Sequence, residues 1–235
     1  MNIKSLLTSP CHWLLCAPLS LEITPEKRHL LSREEQARAR RFRQPLDQKR
    51  HQLAHILKRY CLANIMKVGV QGLSFYFGKK NKPYCKHPGA PYFNLSHSGD
   101  WVLLGVSTIT EIGVDVEADR DVSDGVVSFI LNTQQQLELS QDTDPFARFM
   151  IYWTQKEAVA KALGLGLSMN VQSIDCSGQF GHSRLLHSKG QFHLYSQRLD
   201  NKHTMSVASM SADPVHLYQL TDWSTDDWQL QALNT

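Results

Sequence analysis

The sequence lacks the features that mark several large classes of protein. Its five cysteines are an odd number and include no CxxC pair, so neither a zinc ribbon nor a disulfide-stapled secreted domain is indicated. No apolar run approaches the ~18 residues that a membrane-spanning helix needs. The apolar patch at residues 13–19 is interrupted by Pro18 and is followed by no A-x-A cleavage site. We therefore expect a cytoplasmic protein with reduced thiols and no membrane anchor.

Strong charge imbalance and linker segments are also missing. The 25 Lys and Arg residues against 22 Asp and Glu give a formal net charge of +3, which does not in itself indicate a nucleic-acid or membrane partner. No Gly/Ser-rich or Pro-rich segment separates independent domains. Because 42% of the 235 residues are hydrophobic, the chain can bury one large core or two packed halves.

Helix and strand signals occur in both halves of the chain. Ser32 and Glu35 have the spacing of a capping box, which predicts a helix from there to about residue 43. Apolar side chains at helical spacing predict a second helix over residues 46–66. Residues 78–92 contain three prolines and should form a surface loop.

Two short apolar runs, residues 101–107 and 111–117, are predicted to pair as a hairpin. Further strand-like pieces are residues 13–19, 192–195, 205–208 and 215–220. Because these elements do not follow a regular βαβ rhythm, we predict an α+β fold, arranged as two similar halves.

Two acidic side chains share one face of the second strand of that hairpin. Asp115 and Glu117 are two residues apart, so their side chains project about 7 Å apart from the same face. An edge strand with both acids in water would explain them without any function. A metal site is the alternative, if a third ligand comes from elsewhere in the chain.

A helix supplies that ligand. Asp144 suits an N-cap before Pro145, and the helix that they begin should end at Gly164. In this helix Trp153, Glu157 and Lys161 lie four residues apart and share one face. A solvated Glu and Lys ion pair is the simple interpretation, but a large aromatic on the same face indicates a cleft.

Three carboxylates, from Asp115, Glu117 and Glu157, suit Mg²⁺ or Mn²⁺ and not zinc, which prefers His and Cys. Mg²⁺ completes its shell with water and with phosphates of a substrate. The acids therefore predict a pyrophosphate substrate, with Lys161 neutralising a phosphate oxygen.

Basic residues are concentrated in residues 28–59 and in the string GKKNKP at residues 78–83. No nucleic-acid-binding motif accompanies them, so a localised phosphate site fits better than nucleic acid. Ser96 and His97 follow closely and have suitable donors for phosphate, whereas no G-x-S-x-G elbow supports a serine hydrolase. His51 and His55 have metal-ligand spacing but no motif glutamate, so we expect them on a solvated helix face.

Three strings in this order and spacing resemble the surfactin-type 4'-phosphopantetheinyl transferases. They are residues 93–98 (FNLSHS), residues 113–117 (GVDVE) and residues 153–164 (WTQKEAVAKALG). The resemblance spans about residues 32–166. It implies two α+β halves related by a pseudo-two-fold axis, residues 1–108 and 109–235, with coenzyme A in the cleft between them.

The resemblance also implies a role for each matching residue. The metal ligands would be Asp115, Glu117 and Glu157, and Mg²⁺ would be the metal. Lys161 would contact the phosphates of coenzyme A. The remaining coenzyme A contacts would be Ser96 and His97 near the 3'-phosphate, Lys82 and Arg50 near the nucleotide, and Arg38 or Arg41 on the first arginine-rich helix.

The implied reaction is attack by a serine of an apo acyl or peptidyl carrier protein on the β-phosphate of coenzyme A, with Glu157 as base and 3',5'-ADP as leaving group. The chain would act as a monomer. Two positions differ from the family pattern: Glu35 stands where a lysine is common, and Gln134 where a glutamate is common. A magnesium-dependent nucleotide pyrophosphatase and a non-catalytic carrier-protein binder remain alternatives.

Overall fold

A computed structural model describes residues 11–166, 170–224 and 228–233. The helices in this part of the chain are α1 (Pro25–Arg28), α2 (Arg33–Ala39), α3 (Pro45–Met66), α4 (Asp124–Ile130), α5 (Thr133–Ser140) and α6 (Pro145–Leu163). The strands are β1 (His12–Pro18), β2 (Phe75–Phe77), β3 (Pro83–Cys85), β4 (Tyr92–Ser98), β5 (Trp101–Ser107), β6 (Ile112–Ala118), β7 (Gly181–His187), β8 (Gly190–Arg198), β9 (His203–Ser209), β10 (Val215–Asp222) and β11 (Gln229–Ala232).

The strands form two main sheets and a small one. The first main sheet has the order β11-β10-β1-β5-β4, and the second has the order β6-β9-β8-β7. Strands β2 and β3 make a separate antiparallel pair. Within the first sheet β1 runs parallel to β10 and antiparallel to β5. Strands β4 and β6 therefore each stand at one edge of a main sheet.

Both halves repeat one succession of elements, apart from α1, β2, a second 3-10 turn and β3 in the first half and α4 and β7 in the second. The first half runs β1, α2, α3, a 3-10 turn, then the hairpin β4–β5, whose second strand pairs with β1. The second half runs β6, α5, α6, a 3-10 turn, then the hairpin β8–β9, whose second strand pairs with β6. The predicted α+β fold of two similar halves is confirmed.

The short helices of the two halves begin in the same way. A capping box formed by Ser32 and Glu35 starts α2, and a second one formed by Asn132 and Gln135 starts α5. In each half a long helix with proline in its first turn follows after a short connection. The chain thus uses one local solution twice to satisfy the free backbone N–H groups of a helix start.

A buried cation in each long helix fixes the 3-10 turn that follows it. The guanidinium of Arg59 in α3 donates to the carbonyls of Val70 and Leu73, at 3.2 and 3.4 Å. The ammonium of Lys156 in α6 donates to the carbonyls of Val171 and Ile174, at 2.8 and 2.7 Å. These carbonyls flank the turns Val70–Gly72 and Val171–Ser173. The halves therefore share tertiary contacts as well as element order.

The hairpin predicted between residues 101–107 and 111–117 is wrong. Strand β5 pairs with β1 and β4, and β6 pairs with β9 in the other sheet. All of β5 is buried and most of β6 is too, and they pack face to face as part of one core cluster between the sheets. The real hairpin is β4–β5, which turns at Gly99 with a φ of 51°.

Two smaller expectations also need correction. The first helix ends at Ala39 and not near residue 43, because its C-cap Arg40 bonds back to Arg38 and Gln36. The segment 78–92 is not only loop, since it contains β3. The third predicted helix starts and ends as expected, with Asp144 as N-cap and Gly164 in the left-handed region as C-cap.

The end of the chain completes the sheet of the first half. Strand β10 lies beside β1, and β11 lies beside β10. Trp228 is fully buried and stacks on Tyr60 of α3, with ring centroids 3.6 Å apart. Strands β10 and β11 and Trp228 therefore belong to the first half's sheet and core, while the boundary between residues 108 and 109 stays a prediction. None of the described helices is long and apolar enough to span a membrane.

We expect Trp228→Ala to lower the free energy of unfolding by about 3–5 kcal/mol, because it opens a large cavity against Tyr60. Urea unfolding followed by circular dichroism measures this. Leu186→Ala, at a side chain that is 85% exposed, is the control and should change stability by less than ~0.5 kcal/mol. Equal effects of the two substitutions would show that the C-terminal strands do not support the core.

Candidate active site

The two main sheets meet along a seam between β4 and β6. Three side chains of β4 accept hydrogen bonds from backbone N–H groups of β6, in place of a backbone ladder. The pairs are Asn94 with Val114 at 3.0 Å, Ser96 with Val116 at 3.3 Å, and Ser98 with Ala118 at 3.0 Å. The residue numbers of β4 and β6 rise together along these pairs, so the two edge strands run parallel. Side chains, and not backbone hydrogen bonds, fix their register.

The serines of the seam also hold the acids of β6. The hydroxyl of Ser96 donates to Oδ1 of Asp115 at 2.8 Å, and that of Ser98 donates to Oε2 of Glu117 at 3.0 Å. A hydroxyl can accept one hydrogen bond and donate another, which an aliphatic side chain cannot do. The alternating polar residues of FNLSHS therefore position the carboxylates of GVDVE.

Asp115 is not a solvated edge residue. Its side chain is buried, and Oδ1 also receives the ammonium of Lys161 at 2.6 Å. Its second oxygen, Oδ2, is buried and has no hydrogen-bond partner among the described residues. The alternative in which both acids of β6 simply face water is wrong for Asp115.

Glu117 and Glu157 complete the acidic group. Trp153 donates its indole N–H to Oε1 of Glu117 at 3.2 Å, so both oxygens of that carboxylate are oriented. Glu157 is half-buried, and its Oε1 is buried without a partner in the described part of the chain. Trp153, Glu157 and Lys161 line one cavity, as their spacing on the helix predicted.

The acids disfavour one another's charged forms. Burial, together with the charge of Glu117, raises the pKa of Asp115, while Lys161 opposes this. Burial and the charge of Asp115 raise the pKa of Glu157. Within residues 11–166, 170–224 and 228–233 no group of three or more acid, His or Cys side chains forms a ready-made metal cluster. The group nevertheless carries more negative than positive charge. Two of its buried oxygens have no hydrogen-bond partner among the described residues.

A cavity of about 1090 Å³ extends from these acids into the first half. Its walls come from α2, α3 and β2 on one side and from β6 and α6 on the other. Its basic side chains are Arg38, His51, His55, Lys58, Arg59, Lys86, His97 and Lys161. Its acidic side chains are Glu34, Glu35, Asp115, Glu117 and Glu157, and its volume suits a ligand of nucleotide size.

The cavity brings together seven of the ten site residues that the sequence indicates. They are Arg38, Ser96, His97, Asp115, Glu117, Glu157 and Lys161. Arg41 lines a smaller adjoining pocket with Arg38 and Phe42. Burial lowers the pKa of His97, and the charges of Lys161 and Arg50 act in the same direction.

Arg50 and Lys82 are engaged elsewhere. Arg50 donates to the carbonyl of Gly99 at 2.7 Å and pairs with Asp47 at 2.6 Å. Lys82 is buried and pairs with Glu111 at 2.5 Å. Neither lines the large cavity, and their coenzyme A contacts stay predictions.

A buried ionic cluster that the sequence analysis missed forms part of the cavity wall. Glu35 accepts from Lys58 at 2.8 Å and from Arg59 at 2.5 Å, and it contacts His55 at 2.9 Å. Although burial alone would raise it, the pKa of Glu35 is held well below its ordinary value by His55 and Lys58. The capping box with Ser32 is confirmed, but it is only one of the roles of Glu35.

His51 and His55 do not lie on a solvated face. The ring of His51 is buried, bonds the carbonyl of Glu35, and lies 4.2 Å from the ring of His55. Burial, together with the charge of His55, lowers the pKa of His51 to about 4. The expectation failed because periodicity does not reveal that α2 covers this part of α3. Gln134 is exposed and bonds Glu138, whereas its neighbour Gln135 is the buried amide.

Comparison with known proteins identifies the family. The family model described as 4'-phosphopantetheinyl transferase superfamily matches residues 111–211, and the one described as 4'-phosphopantetheinyl transferase, N-terminal, matches residues 22–109. A Synechocystis protein named for the same activity is 33% identical over 175 residues, which cover 72% of this chain and 70% of that protein. The chain belongs to the 4'-phosphopantetheinyl transferase family.

Other relatives agree with this result. The 4'-phosphopantetheinyl transferase Sfp of Bacillus subtilis is 28% identical over 176 residues, covering 74% of this chain and 75% of its own. The L-aminoadipate-semialdehyde dehydrogenase-phosphopantetheinyl transferase of Xenopus laevis is 25% identical over 182 residues, covering 71% and 57%. The resemblance to the surfactin-type transferases and the predicted enzyme class are confirmed.

Glu157→Gln should stabilise the metal-free transferase by ~0.5–2 kcal/mol at neutral pH, because it removes a buried charge that Asp115 repels. A raised pKa means that the folded protein binds the carboxyl proton more tightly than the unfolded chain does. The wild type therefore gains stability as pH falls towards that pKa, and the difference from the variant shrinks.

Thermal unfolding in EDTA over a pH series measures this difference. Glu22→Gln, at an exposed glutamate of the first half, is the matched control and should show no gain. A Glu157→Gln variant that is less stable than the wild type at every pH would contradict the electrostatic account.

Proposed function

We propose that this transferase moves the 4'-phosphopantetheine group of coenzyme A to a serine of an apo acyl or peptidyl carrier protein, uses Mg²⁺, and releases 3',5'-ADP. The observation that supports the proposal is one cavity that joins basic side chains of the first half to Asp115, Glu117 and Glu157 of the second. A cleft with a cationic and an acidic end suits a nucleotide pyrophosphate held through a metal.

The donor set fits a hard divalent cation. Carboxylate oxygens are the ligands that Mg²⁺ prefers, and the unpaired Oδ2 of Asp115 and Oε1 of Glu157 lack any other partner among the described residues. Glu117 would be the third ligand, with its orientation fixed by Ser98 and Trp153. A few carboxylates are enough, since Mg²⁺ keeps several waters and takes substrate phosphates. When bound, it would polarise the pyrophosphate and stabilise its developing charge.

Residues of the chain would hold coenzyme A along the cavity. His97 and Ser96 lie beside Lys161, so we assign them to the phosphate-rich part of the ligand. Arg38, with Arg41 in the adjoining pocket, would contact the 3'-phosphate end. Arg50 would act near His97, because the charge of Arg50 helps to lower the pKa of His97. Lys161 would exchange its contact with Asp115 for a phosphate oxygen.

The chemical step needs a base for the carrier serine. We assign this to Glu157, because it lines the acidic end of the cavity and would keep its second carboxylate oxygen for a proton while Oε1 holds the metal. The serine oxygen would bond to the β-phosphorus, the bond from that phosphorus to the bridging oxygen would break, and 3',5'-ADP would leave with the electron pair. The serine proton would pass to Glu157.

We also propose a cytoplasmic monomer. Cys16, Cys61, Cys85 and Cys176 are buried free thiols, which suits a reducing compartment. Both walls of the cavity come from one chain, so a second copy is not needed to complete the site.

Incubation with coenzyme A, Mg²⁺ and an apo carrier protein should add one phosphopantetheine unit, roughly 340 Da, to the carrier, and EDTA should abolish the gain by removing the metal. Intact-mass spectrometry measures it. Asp115→Ala should show at least ~100-fold slower transfer, because it removes a proposed ligand and the partner of Lys161.

Two other results would contradict the proposal and favour a different function. Free 3',5'-ADP without any gain of carrier mass indicates a nucleotide pyrophosphatase. Carrier binding that survives Glu157→Gln, with no turnover by the wild type, indicates a non-catalytic binder.

Ser98→Ala should weaken the apparent affinity for Mg²⁺ by about 10-fold, because Glu117 loses the hydroxyl that orients its Oε2. Transfer rates over a Mg²⁺ titration measure this. Ser128→Ala is the control, since the hydroxyl of Ser128 is exposed and bonds only carbonyls of its own helix. An unchanged Mg²⁺ midpoint in Ser98→Ala would show that this hydroxyl does not prepare Glu117 for the metal.

A further inference from the structure

Lys82 has all of its hydrogen-bonding capacity in use inside the protein. Its ammonium donates to Oε2 of Glu111 at 2.5 Å, to the carbonyl of Ile112 at 3.3 Å and to the carbonyl of Ala162 at 2.9 Å. A lysine ammonium has three N–H donors. The side chain is 6% exposed and does not line the large cavity.

The three acceptors join separate parts of the molecule. Glu111 and Ile112 lie at the start of β6, and Ala162 lies in the last turn of α6, next to Lys161. Lys82 itself precedes β3 in the first half. The ammonium therefore links the last turn of α6 to the start of β6. A cation is also favoured at the C-terminal end of a helix.

The backbones of β6 and α6 are in direct contact, with no room for a side chain at Gly113. A Cβ at Gly113 would come within 1.9 Å of the carbonyl oxygen of Ala158 and 2.3 Å of the nitrogen of Ala162, so the helix backbone rests directly on the strand there. Gly113 precedes Asp115 on β6, and Ala158 follows Glu157 on α6. A shift of α6 on β6 would therefore move Glu157 and Lys161 relative to Asp115.

Glu111 is fixed in turn from the first half. The hydroxyl of Tyr84 donates to its Oε1 at 3.0 Å, and Tyr84 stacks on Tyr76, with ring centroids 5.4 Å apart. One connected set of contacts thus runs from the β2–β3 pair through Glu111 and Lys82 to the last turn of α6.

We infer that Lys82 is a positioning residue that locks the last turn of α6 onto β6 and so sets Glu157 and Lys161 against Asp115. It does not bind the nucleotide of coenzyme A. The inference rests on the proposed transfer reaction for its kinetic consequence, but its binding consequence can be measured without turnover.

The first test is binding by isothermal titration calorimetry to coenzyme A and to 3'-dephospho-coenzyme A. Lys82→Met keeps the length of the side chain and removes its charge. We expect its dissociation constants for both ligands to stay within about 3-fold of wild type, since no ligand contact is lost. A loss of ~10-fold or more for coenzyme A, with little change for 3'-dephospho-coenzyme A, would overturn the inference and restore Lys82 as a phosphate ligand.

The second test is a double-mutant cycle with Lys161. Lys82→Met alone should lower kcat by ~10-fold or more, with KM for coenzyme A little changed, because catalytic groups move. In the Lys161→Met background the same substitution should cost less than it does in the wild type, since part of its effect acts through the position of Lys161. Additive losses would mean a general structural role only and would overturn the inference.

A third variant tests the support itself. Glu111→Gln, outside the cavity, should lower kcat in the same way as Lys82→Met, and the two losses should not add. Lys82→Arg, which keeps the charge and the donors, should recover at least part of kcat. Full activity of Glu111→Gln would show that the link from Glu111 to Lys82 does not position the site.

Discussion

The seam between β4 and β6 is the contact on which the geometry of the site depends. Two sheet edges run side by side without backbone pairing, and the missing ladder is supplied by side-chain oxygens of β4. Unpaired edge strands are a liability in most proteins. Here the same hydroxyls that satisfy the edge of β6 also donate to Asp115 and Glu117. One set of hydrogen bonds therefore both joins the halves and orients the acids.

The site concentrates like charge where the halves join. Three carboxylates line one end of the cavity, where Lys161 pairs with Asp115 at 2.6 Å and the exposed Arg120 reaches Glu117 only at 4.0 Å. The raised pKa values of Asp115 and Glu157 follow from burial and mutual repulsion. Such an arrangement lowers the stability of the fold, and the binding of the proposed cation would offset that loss. At the cavity's other end Glu35 neutralises only part of the charge of Lys58 and Arg59, so that end stays cationic.

Local patterns predicted three of the six described helices, α2, α3 and α6, but they predicted the strand pairing poorly. The caps at Ser32, Asp144 and Gly164 are encoded by a few adjacent residues, so the sequence contains the whole signal. The pairing of β5 with β1 and of β6 with β9 depends on residues far apart in the chain, and a run of apolar residues does not state its partner. For the same reason Trp153, Glu157 and Lys161 were found from spacing, whereas the seam serine Ser98 and the Glu35 cluster were not. The alternation of Asn94, Ser96 and Ser98 was the available signal for the seam.

The repeated halves explain why one fold can carry a basic and an acidic wall. Arg59 and Lys156 occupy corresponding places and make the same contacts with a 3-10 turn, so the scaffold demands a cation there in both halves. The capping-box residues differ: Glu35 adds a charge that holds Lys58 and Arg59, while Gln135 is neutral and bonds the carbonyls of Ile174 and Cys176. Scaffold contacts are thus kept in duplicate, and the proposed chemistry uses positions at which the two halves differ, such as Asp115 and Glu157. A cleft between such halves can hold opposite charges at its two ends without either half changing its fold.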